Sequence, residues 1–130
     1  MPEQRYKLGF AGIGLMGRPL VLRLLAAGCE VKVWNRDSAK LQPVAEAGAV
    51  VCASAAELVR ESDVVILCLA DTAAVDQVVT EQVIGNGAAG KLLIDLSSID
   101  PAATRRFAAE LKAACGMAWV DAPVSGGTAG

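Results

Sequence analysis

The chain has 130 residues, the length of one domain and too short for two independent cores. Hydrophobic residues make up 54% and charged residues 20%, a balance that excludes wholesale disorder. With 12 Lys and Arg against 14 Asp and Glu, the formal net charge of -2 argues against an electrostatic grip on nucleic acid or anionic lipid, and the absence of histidine excludes a Ser-His-Asp triad or a His-ligated metal within this chain.

The apolar run 7–11 reads as a first strand that stops at Gly12. Residues 15–27 read as a helix with Pro19 near its start and Gly28 as its C-terminal cap. Val31-Lys32-Val33-Trp34 alternates and favours a strand. Asp37 or Ser38 can cap a helix running to about Ala47, closed by Gly48. A short strand at 50–52 precedes Ser54-Ala55-Ala56-Glu57, a capping box in which serine and glutamate satisfy free backbone donors at a helix start. The unbroken apolar run 64–69 suits a central parallel strand buried on both faces. A helix at 72–83, the turn Gly85-Asn86-Gly87 and a strand at 92–96 follow. Asp100-Pro101 opens a helix that reaches Cys115 and ends at Gly116, and a last strand, 118–121, runs into Ala122-Pro123-Val124.

Six strands alternating with helices through short connections call for an α/β fold, a mainly parallel six-stranded sheet with helices on both faces. No repeat, low-complexity stretch or linker interrupts it. The four cysteines, Cys29, Cys52, Cys68 and Cys115, have no CxxC spacing and read as reduced structural thiols of a cytoplasmic protein. Arg5 and Lys7 followed by residues ending in Ala27-Gly28-Cys29 loosely resemble a lipoprotein signal. Arg18, Pro19 and Arg23 break the apolar core such a signal needs, and no run approaches the ~20 residues of a membrane span.

The first strand-to-helix turn reads Gly12-Ile13-Gly14-Leu15-Met16-Gly17, a GxGxxG. In this pattern the first glycine allows the tight turn, the second lets a pyrophosphate approach the backbone, and the third lets helix and strand pack closely. The phosphates rest on free N–H groups at the helix N-terminus, where the helix dipole favours negative charge. A second strand ends about 20 residues on, as the dinucleotide fingerprint requires, which makes the expected fold a Rossmann-type doubly wound sheet. Where an NAD-preferring site usually offers Asp or Glu, this strand ends Trp34-Asn35-Arg36-Asp37-Ser38. The Arg36 guanidinium suits a 2′-phosphate, which points to NADP with NAD the lesser candidate. Ser38 and Lys40 are placed to assist the phosphate; Asp37 is an alternative ribose ligand, and a solvated surface charge is the other reading of Arg36.

Phe10-Ala11-Gly12-Ile13-Gly14-Leu15-Met16-Gly17 resembles the β-hydroxyacid dehydrogenase family, which includes 3-hydroxyisobutyrate dehydrogenase, tartronate semialdehyde reductase and 6-phosphogluconate dehydrogenase. Asp95-Leu96-Ser97-Ser98-Ile99-Asp100-Pro101 is similar to its second motif, and Asp121-Ala122-Pro123-Val124-Ser125-Gly126-Gly127 to its substrate-binding motif. The resemblance implies that Ser125, Gly126 and Gly127 bind a substrate carboxylate and hydroxyl, that Ser98 lies near the nicotinamide, and that Leu69 and Ala70 pack along the cofactor. Proline often stands in the family where this chain has Ala70. Asp95 and Asp121, on strands, are expected to be structural.

The family's general acid/base lysine is carried on a helical domain that follows the serine-glycine motif, and this chain stops at Gly130. Lys91 and Lys112 do not match it and read as surface lysines. Residues 1–130 are therefore expected to be the NAD(P)-binding half of an oxidoreductase that moves hydride between nicotinamide and a small 3-hydroxy acid or semialdehyde. This half would have no catalytic residue of its own and no turnover alone. Its expected partners are that small substrate and, in the full-length form, further copies of itself, with no nucleic acid and no membrane. Two rivals are an imine reductase, whose first domain often carries a similar Trp-Asn-Arg but generally lacks Val-Ser-Gly-Gly, and a non-catalytic nucleotide sensor.

Overall fold

Residues 6–123 are described by a computed structural model; Ser125, Gly126 and Gly127 lie outside the described residues. The strands are β1 (Leu8–Ala11), β2 (Val31–Trp34), β3 (Val50–Val51), β4 (Val64–Leu67), β5 (Leu92–Asp95) and β6 (Ala118–Asp121). The helices are α1 (Gly17–Ala26), α2 (Gln42–Glu46), α3 (Ala55–Glu61), α4 (Thr72–Val78) and α5 (Pro101–Cys115). The sheet runs β3-β2-β1-β4-β5-β6, and every pairing is parallel.

Strand order reverses between β1 and β4, and the core divides accordingly. Phe10, Val31 and Val33 point to one face, where they pack with Val21 of α1 and Val44 of α2. Val65, Leu67 and Leu93 point to the other, against Leu58 of α3, Val75 of α4 and Phe107 and Leu111 of α5. A right-handed crossover puts its helix on opposite faces when the chain moves in opposite directions along the sheet. That rule leaves a crevice above the carboxyl ends of β1 and β4, where the two halves part. Among the described residues no helix is long and apolar enough to cross a membrane.

Four local expectations are corrected. α1 starts at Gly17 instead of residue 15, so Gly14, Leu15 and Met16 form an open turn before it. The segment 38–47 is not one helix: a 3₁₀ turn, Ser38–Leu41, precedes α2. Pro43 has no N–H to return to Ala39, so an α-helix cannot run continuously through it. The expected helix 72–83 ends as α-helix at Val78 and widens into a π turn over Val79–Val83. That turn presents Gln82, whose Oε1 accepts from the Ala56 N–H (3.0 Å) at the start of α3.

The fourth correction is Lys91, which is no ordinary surface lysine. Its Nζ donates to the carbonyls of Val59 (3.0 Å), Arg60 (3.1 Å) and Ser62 (2.5 Å), gathering the free acceptors at the C-terminal end of α3. The other end of α3 carries the expected capping box, in which Ser54 Oγ accepts from the Glu57 N–H (3.1 Å). Glu57 reaches back to the Ala53 N–H (3.0 Å), one residue before the cap. Lys91→Met is expected to lower unfolding free energy by about 1–2 kcal/mol, because three carbonyls lose a charged donor. Urea unfolding checks this as a lower midpoint at unchanged slope.

Candidate functional site

The three glycines of the turn meet different surroundings. Gly12 has φ +106° and donates its N–H to the Trp34 carbonyl (3.0 Å), and a Cβ there would collide with the Cys68 carbonyl oxygen. A Cβ on Gly17 would collide with the Gly12 carbonyl and lie 3.1 Å from the Phe10 ring. Gly14 has no left-handed φ, and a Cβ on it would meet nothing within 4 Å. The fold therefore needs glycine at 12 and 17, while the space in front of Gly14 is open. α1 begins beside it with no side-chain cap and no acidic residue in its first turn, so the helix places no carboxylate of its own at its positive end.

A cleft of about 560 Å³ opens here, bounded by Gly12, Gly14, Leu15, Met16 and Gly17 on one side and by Cys68, Leu69, Ala70 and Ala74 on the other. Asn35, Arg36, Asp37 and Lys40 close its end at β2. Leu15 is 93% exposed at the rim. A smaller hollow of about 130 Å³ lies between Trp34, Arg36, Leu69, Ala74 and Gln77.

The sequence candidates do not all take part in the same way. Ile13 is buried in the core, and its side chain does not bound the cleft. Asn35 borders the cleft, but its polar atoms are engaged: Oδ1 accepts from the Ile13 N–H (2.8 Å), and Nδ2 donates to the Asp37 carbonyl (2.8 Å). It holds the glycine turn against the end of β2. Asp37 Oδ1 accepts from the Ala39 N–H (3.1 Å), capping the 3₁₀ turn. Ser38, the first residue of that turn, is exposed and lies outside the cleft boundary. Ser98, after β5, does not bound it either. The side chains that combine positive charge with a place in the cleft are Arg36 and Lys40.

Sequence reasoning read Asp95 as structural and passed over Ser97, which links it to the Leu69 wall. Asp95, fully buried at the end of β5, accepts from the Ser97 N–H at Oδ1 (2.9 Å), while its buried Oδ2 has no hydrogen-bond partner among the described residues. Ser97 Oγ in turn accepts from the Leu69 N–H (2.8 Å). Burial pushes the Asp95 carboxyl above the usual carboxylate range, against hydrogen bonds from the side chain and backbone of Ser97 that pull it down; Asp121 adds a smaller upward push. Burial and then the Asp95 charge raise the Cys68 thiol, so the cysteine at the cleft wall stays protonated. Cys52, Glu57 and Glu61 also bring potential ligand atoms within 4.8 Å of one another, but none of the three bounds the cleft.

Residues 7–130 match the family described as the NAD binding domain of 6-phosphogluconate dehydrogenase. The chain is 34% identical over 130 residues to the 2-(hydroxymethyl)glutarate dehydrogenase of Eubacterium barkeri, covering 98% of this chain and 43% of that one. It is 36% identical over 133 residues to the 2-hydroxy-3-oxopropionate reductase of Escherichia coli, covering 95% and 42%. Among solved structures, Mycobacterium tuberculosis 3-hydroxyisobutyrate dehydrogenase with L-serine superposes with a TM-score of 0.88 at 34% identity, over 95% of this chain and 42% of that one. The chain thus spans less than half the length of these relatives.

Two stability measurements follow from this geometry. Gly12→Ala is expected to cost about 3 kcal/mol or more through strained φ and a backbone collision, and Gly17→Ala at least about 2 kcal/mol. Gly14→Ala should be neutral or stabilise by up to about 1 kcal/mol, since its site tolerates a methyl group; thermal unfolding of the three variants checks the order. Asp95 supplies the second. Its folded pKa lies above the unfolded value of 3.8, so its contribution to stability is present below that value and is lost as pH rises through the folded pKa. The stability of Asp95→Asn relative to the parent chain should therefore increase with pH across that window, as read by urea unfolding at a series of pH values.

Proposed function

Because the chain belongs to the NAD-binding-domain family of 6-phosphogluconate dehydrogenase and the related hydroxyacid dehydrogenases, we propose that residues 1–130 are the cofactor-binding domain of an NADP-dependent oxidoreductase. The reaction moves hydride between nicotinamide and the hydroxyl-bearing carbon of a small 3-hydroxy acid, or the corresponding semialdehyde. The single observation that carries the reading is Gly14, a glycine that nothing among the described residues requires, at the open N-terminus of α1. A pyrophosphate is the kind of ligand that needs the backbone bare there.

In this reading the turn Gly12–Gly17 receives the pyrophosphate on free N–H groups at the start of α1. Arg36 and Lys40 take the 2′-phosphate, with Ser38 at hand from the neighbouring 3₁₀ turn. Leu69 and Ala70 form the apolar wall along the cofactor, and Ser98 follows at the end of β5 toward the nicotinamide. The bound cofactor supplies the hydride chemistry, and the protein's share is binding and orientation. Ser125, Gly126 and Gly127 contact the substrate, and the proton transfer is made by residues outside 1–130. Four free thiols and the modest charge fit a cytoplasmic enzyme, and the full-length form assembles with copies of itself.

The two cations at the end of β2, Arg36 and Lys40, favour NADP over NAD, since a 2′-phosphate carries the negative charge they can meet. A charge-assisted hydrogen bond from Arg36 contributes about 1.5–3 kcal/mol, or roughly a 10- to 150-fold preference. Parallel titration with NADPH and NADH, followed through Trp34 and Trp119 fluorescence, is expected to give that ratio. Arg36→Ala should erase it. Equal dissociation constants for the parent chain would overturn the NADP assignment, and binding of neither nucleotide would sink the cofactor reading itself. Gly14→Ala should weaken both nucleotides at least about tenfold with no loss of stability, a combination a packing role would not produce.

A further inference from the structure

Leu69 stands where the apolar cleft wall borders two cavities. Its side chain bounds both the main cleft and the hollow opposite Arg36, so its position sets the width of the slot between β2 and the loop after β4. That loop leaves the sheet abruptly: Cys68 still donates to the Ala11 carbonyl (2.9 Å), as a ladder continues, but the next amide, Leu69 N–H, goes to a side chain. The acceptor is Ser97 Oγ, at 2.8 Å, and Ser97 is itself buried and pinned through its own N–H to Asp95 Oδ1. The arrangement is expensive to keep. Asp95 is completely buried with one oxygen unpartnered among the described residues, and a buried carboxylate with an empty acceptor destabilises a core. An apolar residue at the end of β5 would serve packing alone better.

We propose that Asp95 and Ser97 are positioning residues for the cofactor cleft: Asp95 orients Ser97, and the Ser97 hydroxyl holds the Leu69 amide so that the loop after β4 stands at the right distance from Arg36. Neither side chain touches the cofactor; both act through Leu69. The role rests on the proposed function, since it supposes that a dinucleotide fills the slot. It goes beyond it by assigning affinity to a buried pair that does not bound the cleft.

Ser97→Ala removes the acceptor with a change of one oxygen. It is compared with Lys91→Met, which weakens the far end of α3 and leaves the cleft alone. Three quantities are read well below the unfolding temperature: hydrogen exchange at the Leu69 amide, the dissociation constant for NADPH, and the melting temperature. The expected result is that Ser97→Ala speeds Leu69 exchange selectively and raises the NADPH dissociation constant about tenfold. Lys91→Met lowers the melting temperature yet leaves both the exchange and the binding at parent values. Asp95→Asn, which retains a carbonyl for the Ser97 N–H, should bind NADPH within about twofold of the parent, and Asp95→Ala should match Ser97→Ala. Unchanged NADPH affinity in Ser97→Ala, with the parent chain binding normally, would overturn the positioning role and leave the proposed function intact. So would a loss of affinity in Lys91→Met as large as that in Ser97→Ala. Failure of the parent chain to bind NADPH or NADH would refute the cofactor reading and this role with it.

Discussion

The molecule is organised around one crossing of bare backbones, where Gly12 passes beneath the Cys68 carbonyl and above the first residue of α1. A methyl group at Gly12 would strike the Cys68 carbonyl, and one at Gly17 would strike the Gly12 carbonyl, so three segments meet backbone to backbone. Those segments are the ends of β1 and β4 and the start of α1. Their contact joins the two halves of the sheet at the point where strand order reverses. Everything above that point is cleft: with β1 and β4 paired and α1 pulled in against β1, the helix N-terminus faces the gap between the loops that follow the two strands. Moving any of the three segments by the width of a methyl group would shift the N–H groups that a phosphate would meet.

The fold was legible because its signals were redundant. Apolar runs marked the strands, a capping box marked the start of α3, and Asp100, Pro101 and Gly116 bounded α5; consistency between levels is what makes a pattern trustworthy. The departures occurred where a single residue outweighed the pattern. Pro43 divides the segment after β2 through its missing N–H, although the capping signal at Asp37 is genuine and caps the shorter turn. The π turn at Val79–Val83 leaves no trace in periodicity, since its i→i+5 bonds extend over only five residues.

The candidate site was half legible for a related reason. Backbone requirements write themselves into sequence as glycine, so the turn stood out, and charge at the end of β2 pointed to Arg36. Side chains that serve a neighbouring loop look the same in sequence as side chains that serve a ligand. Asn35 sits where a ribose ligand would and spends its amide on Ile13 and Asp37. Ser97 and Ser98 are adjacent serines in one motif, yet Ser97 is buried and tied to Leu69, a difference that only the direction of β5 decides. Lys91 was misread likewise, because its carbonyl partners lie about 30 residues away in the chain and no local pattern announces them.

Asn35 and Ser97 also share a logic. Each lies just past the end of a strand that flanks the central pair, Asn35 after β2 beside β1 and Ser97 after β5 beside β4. Each accepts the amide N–H of the loop that leaves the adjacent central strand, at 2.8 Å in both cases. The two loops that form the walls of the cleft are thus held from outside, by the strands next door, and their inward faces are left for a ligand. Backbone donors just past a strand end have lost their ladder partner and must find another or face water. Meeting that need with side chains from the flanking strands holds both loops without using their inward faces. A preformed cleft spares a ligand the cost of ordering its walls. A buried carboxylate such as Asp95, costly by itself, is then explained by the amide it holds at one remove.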